Sequence, residues 1–120
     1  MEKTILVNCT HGRDEPERAT LAFVVGNVSA TAAQSTVVLL TCDGVWLATH
    51  GYAEGIEHPG LPAFRDVRAS FVDAGGQIWA CGACTNPRGI TATDLVPGAQ
   101  IVTAATVVEA MAGGASTLSF

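Results

Sequence analysis

The sequence is poor in basic residues. Lys and Arg together number 6 of the 120 residues, against 11 Asp and Glu, and the formal net charge is −5. The basic residues are scattered along the chain, whereas binding to a phosphate backbone depends on clustered cations. We therefore expect no nucleic-acid partner.

Long apolar runs and an export signal are also missing. No apolar stretch approaches the roughly 20 residues that a membrane-spanning helix needs. At the N-terminus, Met1-Glu2-Lys3 is followed at once by the strand-like residues 4–7, and this order lacks the charged, apolar and small regions of a secretion signal. We therefore expect a cytoplasmic protein with no membrane partner.

Nucleotide-binding motifs are absent as well. The chain contains neither Gly-x-x-x-x-Gly-Lys nor Gly-x-Gly-x-x-Gly, the glycine patterns that bring backbone N–H groups close to phosphates. We expect no cofactor.

Apolar residues, by contrast, are abundant. They make up 48% of the chain, while charged residues make up 14%, and we expect residues 1–120 to form a single domain. A domain of this size has much surface relative to its volume, so part of the apolar excess must lie on the surface. We expect a homo-oligomer, with Trp46 and the segment 45–60 in part of its interface.

Apolar runs alternate with amphipathic segments. Runs rich in Val, Ile and Leu without polar alternation are typical of strands buried on both faces of a parallel sheet. The pattern predicts an α/β three-layer sandwich of the flavodoxin-like kind, with a mainly parallel five-stranded sheet and helices on both faces. The predicted strands are 4–9, 36–40, 77–81, 100–102 and 117–120, and the predicted helices are 14–29, 61–74 and 104–111.

The chain has four cysteines, which we expect to be reduced thiols, because disulfide frameworks belong mainly to small secreted proteins. Ligands of parallel α/β sheets bind at the carboxyl ends of the strands. The predicted strand ends bring one set of chemically capable residues to the same edge: Cys9 with His11, Cys42 with Asp43, and Cys81 with Cys84.

The strongest local motif is Cys81-Gly82-Ala83-Cys84, which leaves a predicted strand. We expect Cys81 to be a reactive thiol, with Arg88 and the N–H groups of Gly82 and Gly89 stabilising its thiolate. A cysteine pKa about two units below its ordinary value requires about 2.7 kcal/mol of preferential stabilisation, which one cation and two N–H bonds can supply.

Other interpretations of this motif stay open. The two cysteines can simply fill a loop as small apolar residues. A thioredoxin-like dithiol is less favoured, because the motif comes late and does not open a long helix. A metal knuckle completed by Cys9, His11 or Cys42 is permitted by the spacing, but little demands it, since structural zinc sites usually use two close pairs.

The remaining candidates are weaker. Asp43-Gly44 is typical of a turn, with substrate binding as the second interpretation. His11 either lines the pocket or is a loop residue hydrogen-bonded to backbone. His50 and His58 lie in a long segment, 50–60, that we expect to be mobile, and surface exposure accounts for both.

Together these segments resemble the DsrE/DsrF-like family. The resemblance covers the whole chain and is carried by residues 12–19, Asp43-Gly44-Val45, Ala74-Gly75-Gly76, the stretch from Cys81 to Ile90, and residues 114–120. It implies a small parallel-sheet α/β protein that forms trimers or hexamers and relays sulfur as a cysteine persulfide, with Cys81 in the sulfur-carrying position. It also implies a sulfur donor or acceptor protein as a partner. Cys84 and the long loop depart from the family pattern.

Three functions remain open at this point. Cys81 carries a sulfane sulfur, or Cys81 and Cys84 act as a thiol–disulfide redox pair, or the chain is a non-catalytic oligomeric module that binds a small ligand or a partner. We expect alkylating agents to modify Cys81 fastest, because Cys9 and Cys42 adjoin buried runs in which desolvation raises a thiol pKa.

Overall fold

The computed structural model describes residues 3–120. Its sheet has five strands in the order β4-β3-β2-β1-β5, and every neighbouring pair is parallel. The strands are β1 (Thr4–Cys9), β2 (Ser35–Leu40), β3 (Gln77–Cys81), β4 (Ala99–Val102) and β5 (Ser116–Ser119). The predicted parallel sheet is confirmed, and each predicted strand is present.

Three longer helices connect the strands: α1 (Pro16–Thr31), α2 (Phe64–Asp73) and α4 (Ala104–Ala112). A four-residue helix, α3 (Gly82–Thr85), follows β3 directly. The chain moves in one direction across the sheet from β1 to β4 and then returns past β1 to β5. Because parallel crossovers are right-handed, this reversal places α1 and α2 on one face and α4 on the other.

The larger core lies under α1 and α2 and is centred on three phenylalanines. Phe23 of α1 makes edge-to-face contacts with Phe64 and Phe71 of α2, at centroid distances of 5.0 and 5.7 Å. All three rings are fully buried. Gly26 of α1 allows this close packing, since a Cβ there would meet the side chains of Val38 and Phe71.

The opposite face is covered by α4 alone. A small cluster of Leu6, Leu39 and Val102 lies beneath this helix. Around it, large apolar side chains remain exposed: Ile101, Val108, Met111 and Leu118. Large exposed apolar side chains therefore lie on α4 and on the two edge strands, with Val28 of α1 as a further one, while Trp46 of the predicted interface is half-buried.

The segment 50–60, which we predicted to be a mobile loop, packs against the larger core. Ala53 and Ile56 are buried in the larger core. Tyr52 stacks on Trp46 at 5.9 Å, and the Arg13 guanidinium lies 4.4 Å from the centre of the Tyr52 ring. The Tyr52 hydroxyl also accepts a hydrogen bond from the Arg13 backbone N–H.

Helix α1 begins with Pro16 in its first turn and has no side-chain cap. Glu15 occupies the N-cap position and makes no capping hydrogen bond. Asp14 instead accepts hydrogen bonds from the Gly12 N–H and the His11 ring. The Asp14 side chain thus bonds within the loop before α1 and does not cap the helix.

Among residues 3–120 no helix is long and apolar enough to cross a membrane.

Candidate functional site

The carboxyl ends of β1, β2 and β3 lie side by side and carry all four cysteines, as expected. None of them is in a disulfide. Cys9 is fully buried at the end of β1, Cys81 and Cys84 are half-buried around the end of β3, and Cys42 is exposed after β2. The exposure of Cys42 contradicts the expectation that a buried run shields it.

Cys81 lines a pocket between the end of β3 and the start of α4. In the sheet it lies beside Val102 of β4. The pocket has a volume of about 220 Å³ and an apolar lining. The other lining residues come from β2 and its end, from β4 and from α4: Leu39, Thr41, Val102, Thr103, Ala104, Val107 and Val108.

The amino end of α4 forms one wall of this pocket. Thr103 is the N-cap residue and makes no side-chain capping bond. The N–H groups at a helix amino end carry partial positive charge, and one of them, the Thr106 N–H, donates to the Thr103 carbonyl at 3.1 Å.

Cys84 belongs to a second group of residues, formed with the loop after β2. Its Sγ accepts a hydrogen bond from the backbone N–H of Cys42 at 3.1 Å. The Arg88 guanidinium donates to Asp43 Oδ1 through Nε and Nη2, at 3.1 and 2.9 Å. Through Nη1 it donates to the Cys84 carbonyl at 3.0 Å. Arg88 thus fastens the β2 loop to helix α3.

This arrangement changes two roles that we assigned from the sequence. The hydrogen bonds of Arg88 go to Asp43 and the Cys84 carbonyl rather than to the Cys81 sulfur. The Gly89 N–H donates to the Asn86 carbonyl at 3.1 Å, so its hydrogen bond goes to this carbonyl and not to the Cys81 sulfur. Gly82 opens α3, and its carbonyl accepts a bond from the Thr85 hydroxyl.

His11 is a loop residue rather than part of the Cys81 pocket. Its Nδ1 lies 3.0 Å from Asp14 Oδ2, and this hydrogen bond holds the pKa of Asp14 below its ordinary value. The His11 carbonyl accepts the Cys9 thiol proton at 3.2 Å. Burial raises the pKa of Cys9, which makes Cys9 a structural thiol.

The two histidines of the segment 50–60 have partners that the sequence does not reveal. His58 Nε2 lies 3.4 Å from Glu17 Oε2 of α1. His50 donates its backbone N–H to the Asp94 carbonyl at 2.9 Å. Both histidines therefore contact residues that are distant in the sequence.

The metal alternative finds no support in the part of the chain that the structure describes. Residues 3–120 contain no group of three or more His, Cys, Asp or Glu side chains arranged to hold a metal ion.

Sequence reasoning missed two features of the site, the contact of Cys42 with Cys84 and the contribution of α4 to the Cys81 pocket. A contact between residues 42 positions apart leaves no local signal. The wall from α4 depends on the lateral pairing of Cys81 with Val102. One hint of the contact between Cys42 and Cys84 lies in the sequence, namely that Cys42 also follows a predicted strand.

A parallel α/β sheet with free thiols at its strand ends defines a class of small thiol-bearing proteins. The model of the DsrE/DsrF-like family matches residues 3–120. The chain therefore belongs to the DsrE/DsrF-like family.

Two curated relatives and two solved structures are similar to this chain. The uncharacterized protein MJ0760 of Methanocaldococcus jannaschii is 26% identical over 106 residues, which are 88% of this chain and 38% of that protein. The uncharacterized protein MK0008 of Methanopyrus kandleri is 25% identical over 88 residues, 72% of this chain and 69% of that protein. The chain thus spans well under half of the first relative's length.

The solved structures support the fold alone. The crystal structure of the ychN protein from E. coli has a TM-score of 0.71 at 18% identity, with full coverage of both chains. The MTH1491 protein of unknown function from Methanobacterium thermoautotrophicum has a TM-score of 0.65 at 13% identity, again with full coverage of both chains.

Proposed function

We propose that the protein is a sulfur carrier that holds a sulfane sulfur as a persulfide on Cys81. The observation that carries the proposal is the half-buried Cys81 thiol at a strand end, facing an apolar pocket of about 220 Å³. Membership of the DsrE/DsrF-like family supports it, since this family suggests a sulfur-relay type of fold.

The pocket suits a persulfide for two reasons. An apolar lining keeps water away from a labile S–S bond and accommodates polarizable sulfur. The amino end of α4, at Thr103 and Ala104, borders the pocket, and the positive partial charge at a helix amino end favours a sulfur anion.

The transfer step needs no external oxidant or reductant. The Cys81 thiolate attacks the outer sulfur of a donor persulfide R–S–SH. A new S–S bond forms on Cys81, the S–S bond of the donor breaks, and the donor leaves as the thiolate R–S⁻. Reversal of the same step on an acceptor thiol delivers the sulfur.

We also propose that the protein works as a homo-oligomer, a trimer or a hexamer, and that a second copy covers the exposed apolar side chains of α4 and the edge strands. Val108 borders the Cys81 pocket and is 61% exposed. The pocket and the apolar surface are therefore continuous. A sulfur donor or acceptor protein is the further partner that this function requires.

The test is incubation with a small-molecule persulfide, followed by removal of the donor and measurement of the intact mass. We expect one added sulfur atom on the wild-type chain and on Cys42→Ser, the matched variant that lacks the exposed thiol. Cys81→Ser should retain none, while Cys84→Ser should load normally and release the sulfur more slowly.

Each contrary result points to another function. Loading that survives Cys81→Ser and disappears in Cys84→Ser would contradict the assignment of Cys81. Formation of an internal Cys81–Cys84 disulfide instead of a persulfide would favour the redox pair. If no cysteine retains sulfur, the binding module takes the place of the sulfur carrier.

A further inference from the structure

Cys42 and Cys84 lie together outside the Cys81 pocket. The backbone N–H of Cys42 points at the Cys84 sulfur, with 3.1 Å between nitrogen and sulfur, although the two residues are far apart in sequence. We infer that Cys42 and Cys84 form a second thiol site, which exchanges with small disulfides R–S–S–R and closes an internal Cys42–Cys84 disulfide.

The separation of the two residues permits this bond. The Cα of Cys42 is one bond of about 1.46 Å from its nitrogen, which places it within about 4.6 Å of the Cys84 sulfur. Disulfides join residues whose Cα atoms are about 4.4–6.8 Å apart. A Cys42 Cα this close to the Cys84 sulfur is compatible with that range, and rotation of the side chains between staggered rotamers is the movement that the bond requires.

The surroundings give the two thiols different roles. Cys42 is exposed and has a φ of +53°, a left-handed conformation that is costly for a residue with a Cβ and tends to occur at functional sites. Cys84 is half-buried and accepts a hydrogen bond from a backbone N–H at its sulfur, which fixes the position of that sulfur beside Cys42. Cys42 is thus the entry point for a disulfide in solution, and Cys84 is the thiol that resolves it.

The Asp43–Arg88 contact keeps the two residues adjacent. Asp43 directly follows Cys42, and Arg88 joins its carboxylate to the Cys84 carbonyl. The same guanidinium therefore holds both halves of the thiol pair at a fixed separation.

The exchange balances in two steps. The Cys42 thiolate attacks R–S–S–R, a Cys42–S–S–R bond forms, and one R–S⁻ leaves and takes up the proton that Cys42 lost. The Cys84 thiolate then attacks the sulfur of Cys42, the bond to R breaks, and the second R–S⁻ leaves and takes up the proton from Cys84. Two protein thiols are oxidised and one R–S–S–R is reduced to two R–SH.

The inference goes beyond sulfur carriage on Cys81 and does not depend on it. Cys81 lines the α4 pocket, whereas the Cys84 sulfur accepts a hydrogen bond from the backbone N–H of Cys42. Closure of the second site leaves Cys81 a free thiol and removes Cys84 as a thiol that could act on a Cys81 persulfide.

The experiment treats the reduced full chain with oxidised glutathione, alkylates the remaining thiols and maps the disulfides by mass spectrometry. Trypsin places Cys42 in the peptide 19–65 and both Cys81 and Cys84 in the peptide 69–88. We expect peptides 19–65 and 69–88 to be joined, with one alkylated thiol left in 69–88.

Single variants decide which thiol is joined. We expect Cys81→Ser to keep the link and Cys84→Ser and Cys42→Ser to abolish it. Loss of the link in Cys81→Ser with its retention in Cys84→Ser would overturn the inference, as would a disulfide confined to 69–88 or glutathione adducts without any internal link. Sulfur loading of Cys81 is measured separately, so failure of one proposal leaves the other standing.

Discussion

The contact between Arg88 and Asp43 makes a quantitative prediction. Arg88→Ala removes two hydrogen bonds to the Asp43 carboxylate and one to the Cys84 carbonyl, whereas Asp43→Ala removes only the first two. We therefore expect Arg88→Ala to lower the free energy of unfolding more than Asp43→Ala does.

The exposure of the two side chains limits the size of the effect. Asp43 is 60% exposed and Arg88 is 28% exposed, so solvent screens the pair and its contribution is about 0.5–1 kcal/mol. The bond to the carbonyl adds about 1 kcal/mol. We expect losses of about 0.5–1 kcal/mol for Asp43→Ala and about 1.5–2 kcal/mol for Arg88→Ala.

The assay is urea unfolding of both single variants and the double variant. With a denaturant dependence of about 1.5 kcal/mol per molar urea, Arg88→Ala should lower the midpoint by about 1 M. The double-mutant cycle should give a coupling energy of about 0.5–1 kcal/mol, which added salt reduces. Arg65→Ala is the matched control, because Arg65 pairs with the exposed Glu54 and should cost under about 0.5 kcal/mol.

Equal losses for the two single variants would refute this reasoning, because they would mean that the bond to the Cys84 carbonyl contributes nothing. A coupling energy above about 2 kcal/mol would refute it as well, since a pair this exposed to solvent does not reach that value.

Three further predictions concern the rest of the molecule. Light scattering at micromolar concentration should give a trimer or a hexamer, and Met111→Glu on the exposed face of α4 should give a smaller species; a monomeric wild type contradicts the proposal. Gly26→Ala should destabilise the chain by about 1 kcal/mol, because the steric contact of the new methyl group with buried neighbours outweighs the gain in helix propensity of about 1 kcal/mol. Val28→Ala, on the exposed side of the same helix, should change the stability little. A Gly26→Ala variant that is more stable than the wild type would contradict this prediction. The lowered pKa of Asp14 stabilises the fold at pH values above the unfolded pKa of about 3.9, and this stabilisation is lost as the pH falls through the folded pKa. NMR titration of the His11→Ala variant should show the Asp14 pKa moving back up. An unchanged Asp14 pKa would contradict the assigned cause.

The strands and helices were largely predictable because their signals are local. The run Gln77–Cys81 was predicted with its observed limits. Burial on both faces of a parallel sheet leaves continuous apolar runs, and turn residues interrupt them.

The site was predictable only in part, because its contacts join distant positions. The strand ends placed Cys81 and Asp43 at the correct edge, yet the partner of Arg88 lies 45 residues away. The exposure of Cys42 follows from a left-handed backbone turn after β2, although a cysteine next to a buried strand is normally buried. Such contacts between neighbouring strand ends depend on the tertiary structure rather than on the spacing of residues in the sequence.

The stack of Trp46 on Tyr52 has an optical consequence. The chain has two tryptophans, and they lie in different surroundings: Trp46 contacts the Tyr52 ring, while Trp79 packs against the small cluster under α4. Indole emission changes with stacking and with the polarity of the surroundings. With Trp79→Phe, the fluorescence of Trp46 reports displacement of the segment 50–60. With Trp46→Phe, the fluorescence of Trp79 reports a change under α4, on the same strand that ends in Cys81. The chain therefore carries a separate intrinsic fluorophore for each face of its sheet.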